Sequence, residues 1–215
     1  IIGGGVSGLN AALTAAESGL KILIMEQNSE WGGRCIVDFP FINEEPGLKY
    51  ISRILSELRK YKNVTMRSRM MGAGVYDHGY LLGYERLNDH LSTNKGPRHR
   101  LWRIRAKQII TATGAIERPL SFPGNDIPGI MLASAVRDYA TNFGVAVGDK
   151  VAIFTNNDDA YRTAITLHEI GVTVPVIIDS RSSGGGELAH HAKELGIRVE
   201  NGKAISKVFG QKRVK

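Results

Sequence analysis

Ile1-Ile2-Gly3-Gly4-Gly5-Val6-Ser7-Gly8-Leu9-Asn10-Ala11-Ala12 is the stretch that decides the fold. Two β-branched residues end a strand. Gly3, Gly5 and Gly8 follow at G-x-G-x-x-G spacing, and an Ala/Leu-rich helix opens behind them. Gly3 can take the backbone angles of a tight turn. Gly5, lacking a side chain, lets a pyrophosphate approach the main chain, and Gly8 lets the helix pack close to the strand. Val6 and Ser7 lie where the free N–H groups and partial positive charge of the helix N-terminus face a phosphate. A lone G-x-G-x-x-G is weak evidence, but here it has its context. Lys21 to Met25 read as a second buried strand. Glu26 ends it about twenty residues past the glycines, where a carboxylate binds ribose hydroxyls.

Working outward, the chain has 215 residues, 42% hydrophobic and 23% charged, the composition of a globular protein. The longest apolar runs are far too short to span a membrane. The chain opens inside a strand and stops at Gln211-Lys212-Arg213-Val214 and Lys215 without completing a pattern, which reads as a fragment. Cys35 is the only cysteine, so an internal disulfide, a Cys-x-x-Cys pair and a cysteine zinc cluster are excluded. One cysteine fits a reducing, cytoplasmic setting. The net charge of +7 could serve nucleic acid, but no nucleic-acid motif accompanies it. It reads as a basic surface facing a partner subunit.

Helices are expected over Ser7 to Gly19 and Leu48 to Tyr61, where Ile51, Ile54, Leu55 and Leu58 repeat at three and four. Asn63 to Arg69 alternates as a short strand. Gly32-Gly33, just past the ribose carboxylate, lets the backbone run close to a dinucleotide. Residues 70 to 107 read as a β-meander, with turns at Gly72-Ala73-Gly74 and Asp77-His78-Gly79. Its last strand puts Trp102, Ile104 and Ala106 on one face and Arg103, Arg105 and Lys107 on a solvated one. Gln108 to Thr111 reads as a buried strand ending in Ala112-Thr113-Gly114-Ala115, small residues that pass beside the nucleotide.

Pro119 to Gly129 reads as a linker or ordered loop, so the first domain covers 1–118 and the second 119–215. In the second, helix Leu132 to Phe143 precedes a further β-α-β pattern: strand Lys150 to Phe154, helix Asp158 to Gly171, strand Thr173 to Ile178 ending in Asp179. Helix Gly186 to Leu195 and strand Ile197 to Glu200 follow. The whole is an α/β protein: a Rossmann-like dinucleotide-binding domain with a meander, then a second, incomplete and degenerate Rossmann-like domain. In the second turn, Thr155 and Asn157 stand where the first two glycines belong. Asp158 is expected to cap the following helix. Asp158 and Asp159 add negative charge, and two unit charges at about 4 Å repel by about 4 kcal/mol at an effective dielectric of 20. The second site is therefore expected to bind a dinucleotide weakly or not at all. His78, His190 and His191 read as surface residues, and no metal site is expected.

Two nucleotide folds, a meander in the first and an Ala-Thr-Gly strand end resemble the two-dinucleotide-binding flavoprotein superfamily. Tyr84-Glu85-Arg86-Leu87, Arg100 to Ala106, Ala112 to Pro119, Phe122-Pro123-Gly124-Asn125-Asp126, Pro128 to Ala135 and Phe154 to Asp158 narrow the match. Together they resemble the α-subunit family of heterotetrameric sarcosine oxidases over nearly the whole chain. The resemblance implies an oxidoreductase subunit in a complex that demethylates sarcosine to glycine with hydrogen peroxide. It implies NAD in the first fold, with FAD as the alternative occupant and FMN at the interface with the β subunit. It implies partner β and smaller subunits, with folate bound elsewhere in the complex, and it carries no catalytic residue over onto this stretch, whose catalytic residues stay unknown. By position, Gly3, Gly5, Val6, Ser7, Gly8, Glu26, Gln27, Gly33, Arg34, Thr113 and Gly114 would hold the dinucleotide. Two other readings compete: a self-contained FAD/NAD(P)H oxidoreductase, and a non-catalytic scaffold whose nucleotide stabilises an assembly.

Overall fold

The computed structural model describes residues 1–38, 41–92 and 96–214. It divides into two compact units, Ile1–Ala115 and Ile116–Lys215, each with its own apolar core.

In the first unit, α1 (Val6–Glu17) leads to β1 (Ile22–Met25), then α2 (Cys35–Asp38), the short hairpin β2 (Phe41–Ile42) and β3 (Glu45–Pro46), α3 (Gly47–Leu58) and β4 (Val64–Arg67). β1 and β4 pair in parallel, Ile22 opposite Val64 and Met25 opposite Arg67. Ile2 extends this layer by parallel bridges to Met25 and Thr111. α1 buries Leu9, Ala12 and Ala16, and α3 buries Ile51, Ile54 and Leu58, one face of each helix. The two faces meet over Ile22 and Ile24. Asn63 closes the C-terminal end of α1 by donating to the carbonyls of Ala16 and Leu20, at 3.2 and 2.7 Å.

β5 (Met70–Tyr76), β6 (Tyr80–Arg86) and β7 (His99–Arg105) form the antiparallel meander. Two expectations are corrected here. Gly72-Ala73-Gly74 is no turn: it lies inside β5, where the register shifts between Gly72 and Gly74. A Cβ at Gly72 would come within 3.0 Å of Ile2, so the bare backbone lets the strand lie against the central layer. Gln108 to Thr111 is no buried strand. Among the described residues it pairs with the Ile2 segment alone, and Ile110 is 42% exposed, an open edge.

In the second unit, α4 (Ala133–Phe143) precedes β8 (Ile153–Thr155), α5 (Asp159–Glu169), β9 (Val176–Asp179), α6 (Gly186–Glu194) and β10 (Arg198–Asn201). The strands pair in parallel in the order β10-β9-β8, with α5 and α6 as crossovers. Tyr161, Leu167 and Ile177 are fully buried between them. Pro119 to Gly129 carries turns but no helix or strand.

Candidate dinucleotide site

The glycine turn stands at the C-terminal ends of the parallel strands, where open α/β sheets bind ligands. Gly3 has φ +106°, and a Cβ there would overlap the Ala112 carbonyl oxygen. A Cβ on Gly8 would overlap the Gly3 carbonyl oxygen. Both glycines are thus required by the protein itself. Gly5 differs: a Cβ there would meet nothing nearer than the Gly33 Cα at 3.9 Å. The space beside it is open, the cradle that a phosphate requires. Gly33 (φ +57°) would bring a Cβ within 3.0 Å of Gly5 Cα, and the Gly32 N–H donates to the Gly4 carbonyl at 2.8 Å. The Gly32-Gly33 segment therefore forms one wall of the turn.

α1 begins with no side-chain cap, and its first turn, Val6-Ser7-Gly8, holds no acidic residue. The N-terminal N–H groups are left for an anion. Glu26 is 4% exposed. Its Oε2 accepts the Gly4 N–H and its Oε1 the Asn28 N–H, each at 2.8 Å. The Glu26 carboxylate thus pins the turn, with lone pairs to spare. The meander braces the loop behind it. The Met70 N–H donates to the Glu26 carbonyl, the Arg69 N–H to that of Asn28, and Arg86 Nη2 to that of Gln27, each at 2.8 Å. The Gln27 side chain is exposed. Arg34 pairs bidentately with Asp38, at 2.8 and 2.9 Å. Thr113 and Gly114 are exposed just past Ala112, beside Gly3. Cys35 is buried at the start of α2. Burial, then the Asp38 charge, push its thiol above the ordinary range.

The second unit's turn is built differently. Asp158 does not cap α5. The Asn157 side-chain oxygen accepts the Asp159 N–H at 3.0 Å instead. The Thr155 hydroxyl accepts the Asn157 N–H at 3.0 Å and donates to the Asn157 carbonyl at 2.9 Å. The turn spends its own side chains on the groups a phosphate would take. Nor do the two aspartates stand uncompensated. Asp158 accepts from Arg181 Nη2 and the Gly185 N–H, each at 2.7 Å, and these donors hold its carboxyl below the usual range. Asp159 is held through both oxygens by the fully buried Arg137, at 3.0 and 2.8 Å.

Asp179, at the strand end matching Glu26, is fully buried. It takes Arg181 Nη2 at 2.7 Å and the Tyr161 hydroxyl at 2.9 Å. Burial alone would raise its pKa, but Arg181 and Tyr161 hold it below the ordinary value. Sequence reasoning placed Asp179 but missed Arg181, Tyr161 and Arg137. An arginine two residues past the strand-end acid was the one available signal. His190 and His191 both lie against Glu194, at 3.2 and 3.5 Å, and are exposed. Among the described residues no cluster of three or more His, Cys, Asp or Glu could hold a metal. No helix among them is long and apolar enough to cross a membrane.

The chain is 38% identical over 214 residues to the sarcosine oxidase subunit alpha of Rhizobium meliloti (strain 1021), covering 97% of this chain and 22% of that protein. It is 36% identical to the subunit of the same name from Corynebacterium sp. (strain P-1), covering 95% and 21%. The chain thus spans about a fifth of the length of these relatives. The crystal structure of L-proline dehydrogenase from P. horikoshii superposes with a TM-score of 0.67 at 21% identity, over 99% of this chain and 36% of that one. The sequence model of the pyridine nucleotide-disulphide oxidoreductases matches residues 1–215. With its glycine turn, strand-end carboxylate and paired nucleotide folds, the chain belongs to the pyridine nucleotide-disulphide oxidoreductase family.

Proposed function

We propose that this chain is the nucleotide-binding part of the α subunit of a multi-subunit secondary-amine oxidase, with sarcosine as the amine. The observation that carries the reading is the open cradle at Gly5 beneath the uncapped end of α1. One dinucleotide per chain binds there, NAD by preference, with Gly3, Gly5, Val6, Ser7, Gly8 and Gly33 around the pyrophosphate and Glu26 on a ribose. Gln27, Arg34, Thr113 and Gly114 border it. A bound pyridine nucleotide can in general carry hydride. In this reading its weight is structural, about 2.7 kcal/mol of stabilisation at a hundredfold excess over Kd.

FMN and the amine site belong to the interface with a β subunit and to that subunit, folate to another part of the complex, and the assembly to the reducing cytoplasm. The identity to two sarcosine oxidase α subunits supports this assignment. The self-contained reductase reading is disfavoured by the self-satisfied Thr155–Asp159 turn. Absorbance and mass spectrometry of the ligand released from the protein, with and without partner chains, test the proposal. NAD supports it. A yellow isolated chain releasing FAD overturns it in favour of the reductase.

A further inference from the structure

Gly4 is a glycine that the motif spacing does not ask for. Its φ is not positive, so conformation does not require it. Space does: a Cβ there would overlap the Trp31 ring and come within 2.9 Å of the Glu26 Cβ. The indole, the glycine turn and the ribose carboxylate are therefore contiguous. Trp31 also lines a cavity of about 310 Å³, together with Leu58, Arg59, Val64, Met66 and Ser68. This volume sits at the lower end for a ligand pocket and suits one end of a larger molecule. Leu58, Val64 and Met66 contribute apolar atoms to the lining, and the rest of it, with Arg59 and Ser68, is polar. The Ser68 hydroxyl and the indole N–H carry no hydrogen bond among the described residues, so both are left to orient a polar edge.

Resting on the reading that a dinucleotide binds the first unit, we propose that Trp31 is its base-recognising residue. The adenine at one end of the ligand lies against Trp31, in the cavity along β4, while Gly4 gives the indole its seat. A purine has a π-face to stack on the indole and a polar edge for Ser68 and the other polar groups of the lining. Stacking of a base on an aromatic side chain is worth about 1–3 kcal/mol by alanine substitution. NAD and FAD both end in adenosine, so the inference holds for either.

Calorimetric titration of the intact protein tests it, with NAD, AMP and nicotinamide mononucleotide as probes. Trp31→Ala is expected to weaken NAD and AMP by roughly 5- to 150-fold, the range that stacking energy converts to, and to leave nicotinamide mononucleotide unchanged. Trp31→Phe, which keeps a ring, is expected to restore most of the loss. Ser68→Phe puts a ring into the cavity from another of its lining residues. It is expected to give the same pattern, and it keeps the test open if Trp31→Ala does not fold. Equal loss for all three probes, or tight NAD binding by both Trp31→Ala and Ser68→Phe, overturns the inference and leaves the proposed nucleotide site standing. Failure of the unaltered protein to bind NAD, FAD or AMP overturns both.

Discussion

The Glu26 carboxylate accepts the Gly4 N–H at 2.8 Å, joining the end of β1 to the glycine turn across 22 residues of chain. Because its other oxygen takes the Asn28 N–H, one side chain sets both edges of the nucleotide turn before any ligand arrives. Glu26→Ala is expected to weaken dinucleotide binding by roughly 1.5–3 kcal/mol, the loss of a charge-assisted hydrogen bond. Glu26→Gln keeps one acceptor and should lose less. An unchanged dissociation constant by calorimetry for Glu26→Ala would sink the assignment.

Gly5 and Gly8 separate binding from folding. Gly8→Val drives a side chain into the Gly3 carbonyl and is expected to abolish the folded state. Gly5→Val meets no protein atom closer than 3.9 Å at its Cβ, so it is expected to fold and yet not to bind nucleotide. Circular dichroism with ligand co-purification reads both. A folded Gly5→Val protein that still carries nucleotide would move the site elsewhere.

One dinucleotide per chain is the expected stoichiometry, and Gly5→Val should reduce it to zero. The reason at the second turn is not the repulsion the two aspartates suggested in sequence, since Arg181 and Arg137 neutralise them. It is that Thr155 and Asn157 already satisfy the turn's own N–H groups. Equilibrium dialysis that gives two NAD per chain would contradict this.

Arg137 is fully buried while its partner Asp159 is half exposed. The two ends of the pair should therefore respond unequally. Asp159→Ala leaves a buried guanidinium short of its counter-charge and is expected to cost up to about 3–5 kcal/mol. Arg137→Met fills similar space and leaves the half-exposed Asp159 to water and Arg162, so it should cost much less. Urea denaturation of the two variants compares them directly, and equal losses would refute the asymmetry.

Asp179 makes stability fall in acid. Its folded pKa lies below the ordinary 3.8, so the carboxylate contributes stability at pH values above 3.8. That contribution is lost as pH drops through the folded value. Thermal midpoints measured from pH 5 downward should therefore fall more steeply for the natural protein than for Asp179→Asn. Parallel curves would show that the Asp179–Arg181–Tyr161 cluster carries no proton linkage.

The sequence made the β-α-β frame legible because hydrophobic period and glycine spacing are local signals. Val6–Glu17, Gly47–Leu58 and Ala133–Phe143 lie within two or three residues of the expected helices. Gly72-Ala73-Gly74 misled because glycine marks a bulge as readily as a turn, and Ile2, 70 residues away in sequence, decides which. Gln108 to Thr111 misled because apolar composition does not reveal that a strand has a neighbour on one side only. Arg181 and Arg137 were invisible as partners of Asp158 and Asp159, since 23 and 22 residues separate the pairs. The Gly4–Trp31 contact was equally silent: a glycine inside a glycine run hides its own reason.

Cys35 bears on where electrons can travel. The family is named for disulphide chemistry, yet this stretch of chain has one sulfhydryl, buried and raised above its ordinary range. Thiol exchange needs an exposed thiolate and a resolving partner, and these 215 residues supply neither. Within these 215 residues no intrachain dithiol–disulphide relay can form. These residues keep the family's fold while carrying no dithiol of their own.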